Sequence, residues 1–255
     1  MGESILLLRL EGPMQSWGTR SRWDVRDTGC EPTKSGVVGL IGCAVGLGRD
    51  DPELERLDRD LLFGVRIDRP GVISTEFHTV TGYHRTAAGD YKHSDGTAKS
   101  LAKAQEHDEA TIVSPRDYLH DAAFLVALAV KPEYRAGNGH LLGHIKECLQ
   151  DPKWPVYLGR KACVPSRPIL ERLTDQYRDL EDALNREPWA APRAKAGQPA
   201  KLEAWIECLD AESEQQNSME VERQDAMRLN QLRFYDFRRC RRIEIDTSSL
   251  PRRGT

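Results

Sequence analysis

Apolar positions fall into blocks of strand length, separated by two stretches with helical spacing. Ile5 to Leu10 is an apolar run cut only by Arg9 and closed by Gly12-Pro13, the size and punctuation of a buried strand. Gly36 to Leu47 (GVVGLIGCAVGL) is apolar throughout, and Gly36, Gly39, Gly42 and Gly46 stack along one helical face. Each such glycine costs roughly 1 kcal/mol against alanine, so the stripe predicts tight packing on a sheet or a close approach to another backbone. Leu61 to Ile67 and Val72 to Thr81 read as two strands of a hairpin turning at Asp68-Arg69-Pro70-Gly71. Residues 82–109 are polar and poor in aliphatics, an insertion of the kind that often carries function. Strand patterns resume at Thr111 to Val113 and Ala122 to Val130, and His140 to Gln150 has helical spacing that ends at Asp151-Pro152.

Beyond Trp154 the pattern loosens. It predicts a helix through Leu173, Tyr177, Leu180 and Leu184, a linker at 188–200 and a strand Leu202 to Leu209. The fold class is therefore α+β. The order resembles an RRM- or ferredoxin-like domain over 1–152, carrying an insertion at about 82–109, a long hairpin or a loop, followed by a smaller β-rich part over 153–255. In that architecture helices cover one sheet face and leave the other free.

Charge refines this picture. With 37 basic and 40 acidic residues among 255, the net charge of −3 excludes a protein that coats nucleic acid everywhere. Its distribution is uneven: Glu203 to Glu222 holds acids and no Lys or Arg, while Arg233 to Arg242 is arginine-rich, so one face is expected to be basic. Cys30, Cys43, Cys148, Cys163, Cys208 and Cys240 form neither a CxxC pair nor a zinc pattern, which fits a reducing cytosol and predicts no metal or other cofactor. No apolar run approaches a membrane span, and the strand-like start predicts a soluble, unprocessed, cytoplasmic chain.

The densest chemistry lies at residues 12–36. GPMQSWG is followed by Arg20, Arg22 and Arg26, and Lys34, Ser35 and Gly36 open the glycine-striped helix, where free N–H groups suit an anion. Thr28 and Thr33 stand where a P-loop needs glycines, which removes a nucleoside triphosphate. A backbone phosphate of RNA needs no such cage, although Thr33 or Ser35 also suits a routine helix cap. Gln15, Ser16 and Trp17 offer an amide, a hydroxyl and a stacking surface for single-stranded RNA, with Arg20 and Arg22 for phosphates; Trp17 equally suits a core. Tyr83, His84 and Arg85, then Tyr91, Lys92 and His93, repeat this chemistry in the insertion, and Arg160 and Lys161 follow Gly159 in VYLGRKACVP. No HExxH, nucleophile elbow or ordered carboxylate set marks a catalytic centre; His140 and His144 are four apart but lack a third ligand nearby.

GPMQSWG, EPTKSGVVGLIGCAVGLGR and PVYLGRKACVPSRPI, in this order, resemble the CasD family, the type I-E subunits of the Cascade CRISPR complex. The resemblance runs from Ile5 to about Ile169. It implies a non-enzymatic subunit that caps the 5′ handle of crRNA. The insertion would be a β-hairpin thumb that reaches the neighbouring CasC backbone subunit, while another surface would support CasA, and target DNA would be met through the assembled complex. Gln15, Ser16, Trp17, Lys34, Ser35, Arg160 and Lys161 become the handle candidates, followed by Arg20, Arg22, Tyr83, His84 and Arg85. The alternative is a metal-independent endoribonuclease acting on precursor RNA through His84 or His93.

Overall fold

The structure, a computed structural model, describes residues 3–19, 26–189, 199–209, 220–229 and 233–251; Arg20 and Arg22 lie outside the described residues, as does the middle of the acidic tract, 210–219. β1 (Ile5–Glu11) and the two-residue β2 (Met14–Gln15) precede α1 (Lys34–Val45), α2 (Pro52–Asp60) and β3 (Leu61–Arg69). A long excursion follows: β4 (Val72–Gly82), β5 (Tyr91–His93), β6 (Gly96–Ala98), the one-turn α3 (Leu101–Ala104) and β7 (Ala110–His120). The chain continues through β8 (Ala123–Val130), α4 (Leu141–Gln150), β9 (Leu170–Thr174), α5 (Leu180–Arg186), β10 (Lys201–Glu207), β11 (Glu220–Leu229) and β12 (Arg233–Asp246). No described helix is long and apolar enough to cross a membrane.

One antiparallel sheet in the order β11-β12-β10-β3-β8-β1-β9 organises this mixed α/β fold. Leu6, Leu8, Leu10 and Val126 point one way, into a core with Val37 and Ile41 of α1, Leu54 and Leu57 of α2, and Leu142 and Ile145 of α4. Ile5, Leu7, Leu125 and Ala127 point the other way, against Tyr177, Leu180, Leu184 and Trp189. The second face is thus covered, not free as the sequence suggested. Burying Leu180 and Leu184 contributes about 3–6 kcal/mol, which helps to hold a seven-residue helix too short to persist alone.

A buried ionic network joins that cover to the sheet. Arg9 donates to Asp68 at 2.6 Å, and Arg66 donates to the other Asp68 oxygen at 2.5 Å and to the Leu184 and Glu187 carbonyls at 2.6 and 2.9 Å. Glu187 accepts from the Tyr177 hydroxyl at 2.8 Å and lies 3.5 Å from Arg9. Trp189 closes the group by donating its indole N–H to the Asp68 carbonyl at 3.1 Å.

Several expectations change. β3 and β4 do not form a hairpin: β3 pairs with β8 and β10, while β4 pairs with β7 along Val72–Gly82 and Ala110–His120. Gly71, at φ +70°, redirects the chain between sheets, and its Cα approaches the His120 carbonyl too closely for any side chain. The insertion is accordingly an arm over 72–120, longer than the polar segment alone. Leu173 belongs to a strand, not a helix. The part after 153 contributes four strands to the same sheet. Of the helical glycines, Gly36 faces the Trp17 indole and Gly42 a Leu54 methyl, so the close approach is to side chains, and Gly39 faces open space.

Candidate nucleic-acid interface

The first motif is built around Trp17. Its indole N–H donates to Gln15 Oε1 at 3.0 Å, the Gln15 amide donates to the Ala122 and Leu10 carbonyls at 2.9 and 3.2 Å, and the ring lies against Gly36. Gln15 and Trp17 are 0% and 1% exposed. Their polar groups are satisfied inside the protein, so neither reads a base as expected; they fix the loop from beneath. Ser16 is also buried, and its N–H donates to the Leu158 carbonyl at 3.0 Å.

Lys34 requires the same correction. It is 2% exposed, with its ammonium 2.9 Å from Glu207, and Lys131 meets the same carboxylate at 2.8 Å. Burial alone would raise the Glu207 pKa, but Lys34, Lys131 and Arg238 outweigh it and leave that carboxyl below its ordinary range. The Lys34 backbone N–H, expected to meet a phosphate, instead donates to Asp225 at 2.8 Å. Asp225 is held by two hydrogen bonds from Arg238, at 2.6 and 2.9 Å. The anion at this helix start is therefore the protein's own carboxylate. Ser35 is half-buried beside it.

These groups border a polar cleft of about 360 Å³ between α1, α2 and the β11–β12 ribbon. On its wall, burial pushes the Asp58 carboxyl up to about 6, opposed by Lys34 and by the Met227 N–H. The basic face expected of the arginine-rich strand is neutralised in part, because Arg238 pairs with Asp225, Arg241 with Glu181, and Arg242 with Glu203 at 3.1 Å.

The two most separated motifs meet. Gly159 sits so close to the Ser16 carbonyl that an added Cβ would lie 1.8 Å from it, and its φ is +97°. Val156 to Leu158 is not a strand; beyond it, half-buried Arg160 acts as a clasp. Its guanidinium donates to the Asp117 carbonyl at 3.0 Å and the Arg26 carbonyl at 2.8 Å, and stacks over Tyr118 at 4.8 Å. Arg26 forms a backbone bridge to Arg116 of β7. Exposed Arg26 and Lys161 and half-buried Arg116 thus gather where the 12–19 loop, the 26–31 segment, the 156–165 loop and the base of the arm converge. Arg116 was not among the sequence candidates, since only the arm's register brings it here.

Farther out, Tyr83 and His84 are half-buried and tied to the arm, Tyr83 donating to the His107 carbonyl at 2.9 Å and His84 lying 3.1 Å from the Val80 carbonyl. Exposed Arg85 stacks over Tyr91 at 5.5 Å. The arm bares apolar groups on both sides: Ile73, Phe77 and Val113 on one, Val72, Val80 and Ile112 on the other. Phe77 is 72% exposed. Such a ribbon cannot bury these groups by itself. Among the described residues, one group has the makings of a metal site: His93, Asp95 and His107, near the arm's tip.

Comparison with known proteins gives a consistent family. Residues 5–238 match the family described as CRISPR-associated protein (Cas_Cas5). The chain is 35% identical over 187 residues to the CRISPR system Cascade subunit CasD of Escherichia coli (strain K12), covering 72% of this chain and 78% of that one. A solved chain of a CRISPR RNA-guided surveillance complex superposes with a TM-score of 0.68 at 32% identity, over 96% of this chain and 92% of the other. A crystal structure of a Cas protein gives a TM-score of 0.63 at 30% identity, over 98% and 100%.

Proposed function

This chain belongs to the CasD/Cas5 family of CRISPR-associated proteins, and from that premise we propose that it is a non-enzymatic RNA-binding subunit of a Cascade-type complex that caps the 5′ handle of crRNA. The observation that carries this reading is the junction at Gly159 and Arg160, where two sequence motifs and the arm's base meet under a cluster of cations. Arg26, Arg116 and Lys161 take phosphates there. Arg160, Trp17 and Gln15 hold the surface in shape, and Lys34 acts from the core. The arm docks its apolar sides on the adjacent backbone subunit, CasC, and another surface meets CasA, so that target DNA is engaged only by the assembled complex. We read the β9-β1-β8-β3 portion of the sheet, with α1 and α4, as the ferredoxin-like core of this cytoplasmic protein.

The test is co-expression of the complex subunits with a CRISPR array, carrying Arg26→Glu, Arg116→Glu or Lys161→Glu. The expected result is loss of retained crRNA from a folded subunit, with the salt slope of handle binding falling by about 0.7 for each phosphate contact removed. Full retention in all three variants would overturn the assignment of the interface. Repeat RNA incubated with the chain in EDTA is expected to stay intact; site-specific cleavage that disappears in His84→Ala or His93→Ala would replace this reading with an endoribonuclease.

A further inference from the structure

Near the tip of the arm, backbone ties bring His107 against His93 and Asp95, which share one tight turn. Ser94 and Asp95 form the turn between β5 and β6, with His93 paired to Gly96, and the Asp95 N–H donates back to His93 Nδ1 at 3.3 Å. The returning chain is fixed by the Ser94 N–H on the Asp108 carbonyl at 2.8 Å, by Tyr83 on the His107 carbonyl at 2.9 Å, and by a bridge between His93 and Glu109. As a result the His93 and His107 rings stack with centroids 4.1 Å apart and planes within 14°. His107 Nδ1 lies 3.2 Å from Asp95 Oδ2, and one donor atom from each of the three residues lies within 4.8 Å of the others.

The distances have a chemical meaning. Metal–ligand bonds of about 2.0–2.1 Å in a tetrahedral site separate neighbouring donor atoms by about 3.3 Å, which is close to the 3.2 Å between His107 and Asp95. The contact on His93 Nδ1, at 3.3 Å, is longer than an ordinary N–H hydrogen bond and gives way at little cost. His93 is largely buried, whereas Asp95 and His107 are exposed; because imidazole lone pairs lie in the ring plane, the exposed His107 ring turns out of its stack on the fixed His93 ring for both to face one ion, which solvent can reach. Two imidazoles with one carboxylate favour zinc, cobalt or nickel over magnesium or calcium.

We propose that His93, Asp95 and His107 bind one divalent transition-metal ion, pinning the β5–β6 hairpin to the returning strand and leaving a fourth position to solvent or an anion. The sequence reading expected no metal because it sought ligands at close spacing. Here the last ligand lies beyond β6 and α3, and the arm's own pairing delivers it.

The test uses the full chain after EDTA treatment and desalting, titrated with Co²⁺ and followed by visible absorption, then challenged with Zn²⁺. One equivalent of Co²⁺ is expected to give ligand-field bands that Zn²⁺ removes. Binding should weaken at least about tenfold in His93→Ala, His107→Ala and Asp95→Asn. Asp95 is exposed, so its substitution leaves folding intact, which circular dichroism verifies. His144→Ala should bind as the parent does, and Zn²⁺ should raise the melting temperature of the parent and of His144→Ala but not of His107→Ala. No absorption with the parent chain, or bands that survive the three ligand substitutions and vanish in His144→Ala, would overturn the proposal.

Discussion

Replacing Lys34 by methionine separates a core cation from a phosphate ligand. Methionine keeps most of the stem but removes the ammonium that Glu207 faces at 2.9 Å. Removing one partner of a buried ion pair costs about 3–5 kcal/mol. Lys131 remains 2.8 Å from the same carboxylate, so the expected cost is the lower end, about 3 kcal/mol. Against a net stability of about 5–15 kcal/mol, Lys34→Met folds with reduced margin. Lys34→Glu adds a carboxylate beside Glu207, Asp58 and Asp225 and is expected not to fold. With a urea slope of about 3 kcal/mol per molar for a chain of this size, the methionine variant's midpoint falls by about 1 M. The assay is urea unfolding followed by tryptophan fluorescence, paired with handle-RNA affinity of the folded variant, which should stay within about twofold. An unmoved midpoint together with a tenfold loss of RNA affinity would refute the reasoning and make Lys34 a phosphate ligand.

Asp58 gives a pH signature. Its folded pKa of about 6 exceeds the model-peptide value of 3.8, so folding favours the protonated form. The penalty is absent below about pH 4, grows through pH 4 to 6 and is complete above that, at about 3 kcal/mol. Asp58→Asn should therefore gain about 2–3 kcal/mol relative to the parent between pH 4.5 and 7.5 in urea titrations, and a difference independent of pH would count against it. Gly159→Ala should cost at least about 2 kcal/mol from its left-handed backbone and its approach to Ser16, lowering Tm by about 4 °C or more and loosening handle binding; an unchanged melting curve would contradict the contact.

Local pattern made β1, α1, β8 and α4 legible, because each is set by contiguous periodicity and by its own punctuation. Pairing was not. The Asp-Arg-Pro-Gly turn has the composition of a hairpin, but the partners of β3 are β8 and β10, far along the chain, and no local signal announces them. Lys34 looked like an exposed cation for the same reason: the carboxylates that neutralise it and its N–H lie 173 and 191 residues away. The acidic tract that contains Glu207 was visible in the sequence, yet its destination was not. Conversely, GPMQSWG and YLGRK were legible as motifs because their glycines and basic residues are unusual, and the structure supplies the reason they occur together: one backbone rests on the other.

The covered face of the sheet also decides how the molecule may be divided. Arg9 and Arg66 sit on central strands and depend on Glu187 and on carbonyls at residues 184 and 187–188, all supplied from beyond β9. A fragment ending near residue 152 would keep both guanidinium groups and lose that shelter, leaving charge stranded on an otherwise oily surface. Truncation experiments meant to isolate an RNA-binding half would then report insolubility, not the absence of recognition. Informative dissection of this protein has to proceed by point substitution within the intact chain, or by trimming only the outer part of the arm, short of Asp117 and Tyr118, which Arg160 clasps.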